Sequence, residues 1–205
     1  MRTSSRKRKR CSAKPPYSKS MDDEQILAAT VGEPPPTYRE VVLAEYDPEW
    51  PKWFARAAEQ IRGALGDAVL RLDHVGSTSV PGLASKPLID INLVVDDTTD
   101  EEAYVPKLEA LGYVLRVREP DWYEHRLLRG NDPPVNLHVF PPGCEEIGRM
   151  LVFRDWLRTN EADRELYERT KRELGAKQWK YVQNYADAKT AVVEEILKRA
   201  RDPTA

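Results

Sequence analysis

His74-Val-Gly-Ser-Thr-Ser-Val-Pro-Gly-Leu-Ala-Ser-Lys-Pro-Leu-Ile-Asp-Ile-Asn92 joins two strands through a bend of small hydroxyl residues. Residues 69–75 alternate apolar and polar side chains, the pattern of a strand with one buried face. Gly76-Ser77-Thr78-Ser79 then interrupts the alternation with residue types that favour tight turns. Residues 88–95 resume as a β-branched run suited to a buried strand. In that run the period of two sets Asp90 and Asn92 on one face and Ile89, Ile91 and Leu93 on the other. A carboxylate inside an apolar strand is costly unless it is paired, hydrogen-bonded or bound to a cation. Asp90 therefore reads as a candidate catalytic group or as a carboxylate satisfied by the amides of the neighbouring turn.

On either side of this stretch, Val41-Val42-Leu43 reads as a first short strand, and Asp47-Pro48 opens a helix through Leu65 with Trp50, Trp53, Phe54, Ala57, Ala58 and Ile61 near helical spacing. Thr98-x-x-Glu101 has the form of a capping box for a helix to about Leu111. Strands follow near 113–118, 122–129 and 135–140, and on the last Asn136, His138 and Phe140 share a face. Helical periodicity fills 145–158, 161–174 and 178–200. This order predicts an α+β core, a mixed sheet with flanking helices and a C-terminal helical layer. Residues 1–37 lack periodic apolar positions and read as a disordered basic arm, with room for a short helix at 22–30; the folded body is expected over 38–202.

The 205 residues are 40% hydrophobic and 32% charged, enough for one core with extensions. No window approaches the ~18 consecutive apolar residues of a membrane span, and no apolar stretch follows the charged start, which argues against a secretory leader. Two cysteines, Cys11 and Cys144, are too few for a disulfide scaffold or a four-ligand zinc site and fit a reducing, cytoplasmic setting. Of the 32 Lys and Arg, eight lie within residues 1–20, which hold no acid; the rest of the chain carries 24 against 34 acids, a net of −10. The run RKRKR at 6–10 reads as a nuclear address, a nucleic-acid-binding tail or a solvated tail with no specific partner.

The segments AEYDPEW (44–50), HVGSTSVPGLASKPLIDI (74–91), NLHVF (136–140), FRDWLR (153–158) and YADAK (185–189) resemble the GrpB, or UPF0157, family over about 40–201. The resemblance implies a nucleotidyltransferase-like fold, in which a Gly-Ser turn cradles phosphate oxygens and two carboxylates one residue apart hold divalent metals. The chain departs from that pattern where the chemistry would lie. Asn92 stands in place of the second acid, and His138 occupies the strand from which a third would come. One carboxylate, one amide and one imidazole make a poor Mg²⁺ cage, and phosphoryl transfer relies on metals to neutralise charge. No metal or cofactor is therefore expected, Mg²⁺ entering only under the alternative of nucleotidyl transfer to a small phosphorylated or amine substrate.

An aminoacyl-tRNA ester is already activated and needs only positioning, a proton acceptor and an oxyanion donor. The chain is similar to fungal arginine-containing cyclodipeptide synthases, which join arginine from its tRNA to a second aminoacyl-tRNA. It carries no G-x-x-x-x-G-K-[ST] motif, unlike the family version fused to dephospho-CoA kinase. That resemblance implies that Ser77, Thr78 or Ser79 accepts the acyl group or holds the terminal adenosine, with the Gly76 turn supplying amides, Asp90 and Asn92 contacting substrate and His138 acting as base. A guanidinium calls for a carboxylate fork, for which Asp96, Asp97, Asp100 and Glu124 are candidates; acids at a helix start also serve as dipole partners. Glu124 and Arg126, placed on one strand face, form a surface salt bridge or contact substrate. Lys86 stands at the mouth of the Asp90 strand, within reach of phosphate. Arg154, on a helical stripe with Ile147, Leu151 and Arg158, contacts an anion or makes a structural bridge. Tyr181, Tyr185 and Lys189 recur every four residues as a face for a nucleotide or as packing. His74 reads as a structural histidine. The partners expected are aminoacyl-tRNAs including arginyl-tRNA, with no membrane and no stable protein partner; a non-catalytic nucleotide- or RNA-binding module is the third reading.

Overall fold

The computed structural model describes residues 20–202. Five strands, β1 (Arg71–Val75), β2 (Ile89–Val94), β3 (Val114–Glu119), β4 (His125–Asn131) and β5 (Pro134–Phe140), form one sheet in the order β1-β2-β5-β4-β3. The β2–β5 pair is parallel and the other three pairs are antiparallel, so the sheet is mixed and the fold is α+β as expected.

The alternation in β2 separates two environments. Ile89, Ile91 and Leu93 join Val135, Leu137 and Val139 of β5 in a core closed by α2 (Trp50–Leu65) and α3 (Val105–Glu109). The opposite, polar face carries Asp90 level with Asn136 and Asn92 level with His138. It is roofed by the C-terminal helices α4 (Glu145–Thr159), α5 (Glu161–Gly175), α6 (Val182–Ala188) and α7 (Thr190–Ala200). Ile147, Met150 and Leu151 of α4 pack on Val94 and Phe140, while Leu157, Tyr167, Val192 and Ile196 close over Val80 and Leu83, just past the Gly76 bend. Asp90 thus lies between the sheet and a helical layer.

Several local expectations give way to tertiary contacts. The short helix allowed for at 22–30 is present as α1 (Asp23–Ala29) with an Asp22/Gln25 capping box, but it is docked on the fold and not part of a disordered arm, with Ile26 buried. Thr30 bridges to Val117, and the Met21 amide donates to Asp187. The basic run at 6–10 lies outside the described residues. Val41–Leu43 forms no strand; its nearest pairing is a lone bridge between Ala44 and Ser85. Asp47 precedes α2 as a turn, its Oδ1 accepting from the Glu49 amide at 2.8 Å. The Thr98–Glu101 capping box is absent because Glu101 is engaged by Arg118 and Arg126; a 3₁₀ turn at Glu101–Ala103 precedes a short α3 that starts beside Pro106. The strand expected from 122 begins at His125, since Tyr123 and Glu124 sit at φ +54° and +51° in a tight turn. The last helix breaks into two at Lys189.

Candidate active site

Gly76 sits at φ +69° and ψ −175°, a conformation essentially reserved for glycine. A Cβ there would lie 2.3 Å from Asp90 Oδ2, so the absent side chain is what lets the bend close on the carboxylate. The bend is a 3₁₀ turn, Ser77–Ser79, whose Ser79 and Val80 amides are taken by its own carbonyls. Two arginines of α4 clamp it from behind: Arg154 Nη1 donates to the His74 carbonyl at 2.9 Å, and Arg158 Nε and Nη2 donate to the Ser79 carbonyl at 3.0 and 2.8 Å. Arg154 is therefore a structural tie, the second of the two roles expected for it.

The three hydroxyls of the bend differ. Thr78 is buried, donates to the Leu88 carbonyl and lies 3.1 Å from His74 Nε2. Ser79 is buried and donates to the Gly76 carbonyl at 2.5 Å. Ser77 is half-buried, with the Tyr167 hydroxyl as its neighbour. Of the three expected acyl acceptors, Ser77 alone is not committed to the turn. His74, stacked on Phe54 at 4.8 Å, is held neutral chiefly by burial, its pKa lowered to about 4. The structural reading of His74 holds.

Asp90 and His138 come together as the shared face predicted. Asn136 Nδ2 donates to Asp90 Oδ1 at 2.9 Å, and His138 Nε2 lies 3.7 Å from the same oxygen. Burial raises the Asp90 pKa, but the His138 imidazole, the Asn136 amide and the Lys86 ammonium outweigh it and hold the carboxyl below its ordinary value. Behind His138 runs a chain that the sequence did not disclose. His125 Nε2 is 3.1 Å from His138 Nδ1, and His125 Nδ1 is 2.7 Å from Glu119 Oε2. Burial, the largest influence, pushes the His125 pKa down to about 4 against the Glu119 carboxylate. A neutral His125 donating through Nδ1 to Glu119 must accept at Nε2, so His138 donates through Nδ1 and turns its Nε2 toward Asp90. Glu119 and His125 thereby orient the ring of the candidate base.

Lys86 and Lys189 reach the same region, both over the Tyr185 ring. Tyr185 itself is 1% exposed, so of the two roles expected for it the structure gives packing, and the nucleotide-stacking role is corrected. Asn92 is fully buried, its amide donating to Met150 Sδ at 3.3 Å, and it underlies the site without opening to it. The acids proposed as a guanidinium fork are not at Asp90. Asp96, Asp97 and Asp100 follow the far end of β2, whose last residue, Val94, stands about 13 Å along the strand from Asp90, and Asp97 accepts from Thr99. Glu124 lies at that same end in the β3–β4 turn. Arg126 is buried, bonds Glu101 at 2.7 Å and makes the expected salt bridge to Glu124, Nη1 lying 3.6 Å from its carboxylate and donating to its carbonyl at 3.0 Å.

The donor set does not fit the metal pair of the wider fold family. Asp90 is flanked by the Asn136 amide, the His138 imidazole and the Lys86 and Lys189 ammoniums, whereas Mg²⁺ favours converging carboxylates in a near-octahedral shell. Among the described residues no group of three or more His, Cys, Asp or Glu is arranged to hold a metal ion, and no helix is long and apolar enough to cross a membrane.

Sequence reasoning missed Glu119, Tyr167 and Lys171 around this site. Asp163, Tyr167 and Lys171 recur at four-residue spacing and are all buried, but a polar stripe reads as a solvated face until the tertiary structure covers it.

The 57% identity to a UPF0157 protein of Halalkalibacterium halodurans extends over 87% of this chain and 91% of that one. A UPF0157 protein of Streptomyces coelicolor is 44% identical over 80% and 87%. A dephospho-CoA kinase of Mycolicibacterium paratuberculosis is 29% identical, with this chain matching half of its length. The crystal structure of the conserved protein GrpB from Enterococcus faecalis superposes with a TM-score of 0.67 at 30% identity, covering 78% of this chain and 96% of that one. With the GrpB protein family profile matching residues 40–199, across the sheet, the Gly76 bend and the helical roof, the chain belongs to the GrpB family.

Proposed function

We propose that the chain is a group-transfer enzyme acting on an already activated ester of the aminoacyl-tRNA class, with an amine nucleophile held between Asp90 and His138. The observation that carries this reading is the 3.7 Å separation of Asp90 Oδ1 from His138 Nε2. That span is too long for a strong direct bond and suits two acceptors sharing one primary amine. The amine donates one N–H to the carboxylate and another to Nε2. Its lone pair attacks the acyl carbonyl carbon, Nε2 takes the released proton, and the imidazolium returns it to the departing hydroxyl as the C–O bond breaks.

Ser77 is the acceptor for the first acyl group, which leaves its tRNA. The amine of a second aminoacyl-tRNA then displaces Ser77 to give a dipeptidyl-tRNA. Attack of its free amine on the remaining ester releases a cyclic dipeptide and the second tRNA. Arginine as one partner comes from the family resemblance alone, since the acids expected to grip its guanidinium stand at the far end of the sheet. Expression in a bacterial host followed by mass spectrometry of the medium tests the reading. Cyclo-Arg-Xaa or another cyclic dipeptide, lost in Asp90→Asn and His138→Ala and abolished by RNase in a lysate, is the expected result. Its absence with charged tRNAs and folded protein refutes it.

A second reading, transfer on a small phosphorylated nucleotide without RNA, is favoured by the lysines near Asp90 and by the relative named as a dephospho-CoA kinase. Turnover that needs Mg²⁺ and a nucleoside triphosphate, and is indifferent to RNase, would select it. If both substitutions leave ligand binding and every turnover unchanged, the chain is a binding module.

A further inference from the structure

Beside the Asp90–His138 pair, three lysines from separate elements meet on two tyrosine rings. Lys86 lies in the segment leading into β2, Lys171 in α5 and Lys189 at the α6–α7 junction. Lys86 Nζ is 5.6 Å and Lys189 Nζ 4.8 Å from the centre of the Tyr185 ring, so two ammonium groups address one buried ring. Lys171 Nζ lies 5.0 Å from the Tyr167 ring centre, is 2% exposed, and donates to the Ala84 carbonyl. Among the described residues none of the three has a carboxylate at ion-pair distance, while the chain pairs many of its surface lysines and arginines.

Like charges gathered away from water are costly, and ring faces and a carbonyl return only part of that cost. The strain is visible in the groups themselves: burial first, then Lys189, lowers the pKa of Lys86 to about 8 and that of Lys171 to about 7. The carboxylates that face the cluster are Asp90, Asp187 beside Lys189 and Glu168 beside Lys171; Arg129 and Arg172 also reach it, and Glu168 is already paired with Arg172 at 2.8 Å, so the region stays net positive. The cluster also borders Ser77, whose neighbour is the Tyr167 hydroxyl.

We propose that Lys86, Lys171 and Lys189 form a binding site for the phosphate groups of a nucleotide, presenting a net charge that a phosphate dianion neutralises. Lysine serves here as a compact point charge with three donors, able to follow a tetrahedral oxyanion. The site does not depend on acyl transfer: a chain that binds phosphate and makes no cyclic dipeptide keeps this site and loses the earlier reading.

Calorimetric titration of the full chain with inorganic pyrophosphate at low ionic strength tests it. Saturable binding is expected, weakened about tenfold or more by Lys86→Met and by Lys189→Met, since a charge-assisted contact is worth about 1.5–3 kcal/mol. Asp90→Asn should tighten it several-fold by removing the repelling carboxylate that faces both Lys86 and Lys189. Lys171→Met should weaken it too, with its melting temperature recorded so that loss of the Ala84 contact is told apart from loss of the ligand. Competition with AMP and with a CCA trinucleotide identifies the source: stronger displacement by AMP assigns a small nucleotide, stronger displacement by CCA an RNA terminus. No saturable binding, equal binding in Lys86→Met and Lys189→Met, or displacement by neither competitor overturns the proposal.

Discussion

Replacing Gly76 with alanine should lower stability by about 2–4 kcal/mol, and the structure separates the two sources of that loss. The first is conformational: a residue with a Cβ at φ +69°, ψ −175° is strained by about 1–3 kcal/mol. The second is contact. The added Cβ would stand 2.3 Å from Asp90 Oδ2 and 3.0 Å from Asp90 Cβ and Cγ, so the carboxylate must move off its Asn136 hydrogen bond, worth about 1 kcal/mol net. For a domain of this size each kcal/mol moves the midpoint by about 2–4 °C, so the melting temperature should fall by about 5–15 °C. Gly112→Ala is the control, because Gly112 also has positive φ (+86°) but nothing within 4 Å of the place a Cβ would take. In an Asp90→Ala background, where Oδ2 and Cγ are gone, Gly76→Ala should cost about 1–2 kcal/mol less, a coupling that a double-mutant cycle reads directly. Differential scanning calorimetry of the parent, the three single variants and the double variant is the assay. A Gly76→Ala midpoint within 2 °C of the parent, or an unchanged cost in the Asp90→Ala background, would refute the claim that this glycine exists to admit the carboxylate.

Acidification should destabilise the fold through its buried histidines. His74, with a folded pKa of about 4 against an ordinary 6.5, binds fewer protons folded than unfolded between those values, so stability falls as pH drops through that window, by up to about 3 kcal/mol at pH 4. His125 acts in the same direction. Urea unfolding at pH 7 and pH 4 measures the loss, and His74→Gln should flatten it; a slope unaltered in the variant would exclude His74 as its source. Glu119→Gln should leave KM unchanged and lower kcat by about 10²-fold, the scale of general-base assistance, because a neutral amide no longer orients the His125 and His138 rings. The acid limb of its pH–rate profile should shift as well, whereas a purely structural role would leave that limb in place. Finally, a chain beginning at residue 38 should melt about 5–10 °C below one beginning at residue 20, because it loses buried Ile26 and the Val31–Arg116 backbone bond at 2.8 Å. Equal midpoints would mean that α1 adds nothing to the fold.

Alternation and turn chemistry were enough to read the strand–bend–strand around Gly76, the inward set Ile89, Ile91 and Leu93, and the meeting of Asp90 with His138. A period of two assigns faces without knowledge of the partner strand, and the register then placed Asn136 and His138 beside Asp90 and Asn92. Elements that draw their stability from distant contacts were not legible in this way. A short helix at 22–30 was allowed for, but its docking beside Asp187 and Val117, far along the chain, was not, and the capping box at Thr98 failed because Glu101 is claimed by arginines of β3 and β4. The same division runs through the site. Residue type and spacing nominated the carboxylate, the imidazole and the serine, since those are local properties of a strand and its bend. Which hydroxyl stays uncommitted, which acids lie beyond the far end of β2 and which lysines share a tyrosine ring are settled by the closed tertiary structure. Burial and charge proximity are sums over neighbours remote in sequence, and they come into being when the helical layer closes.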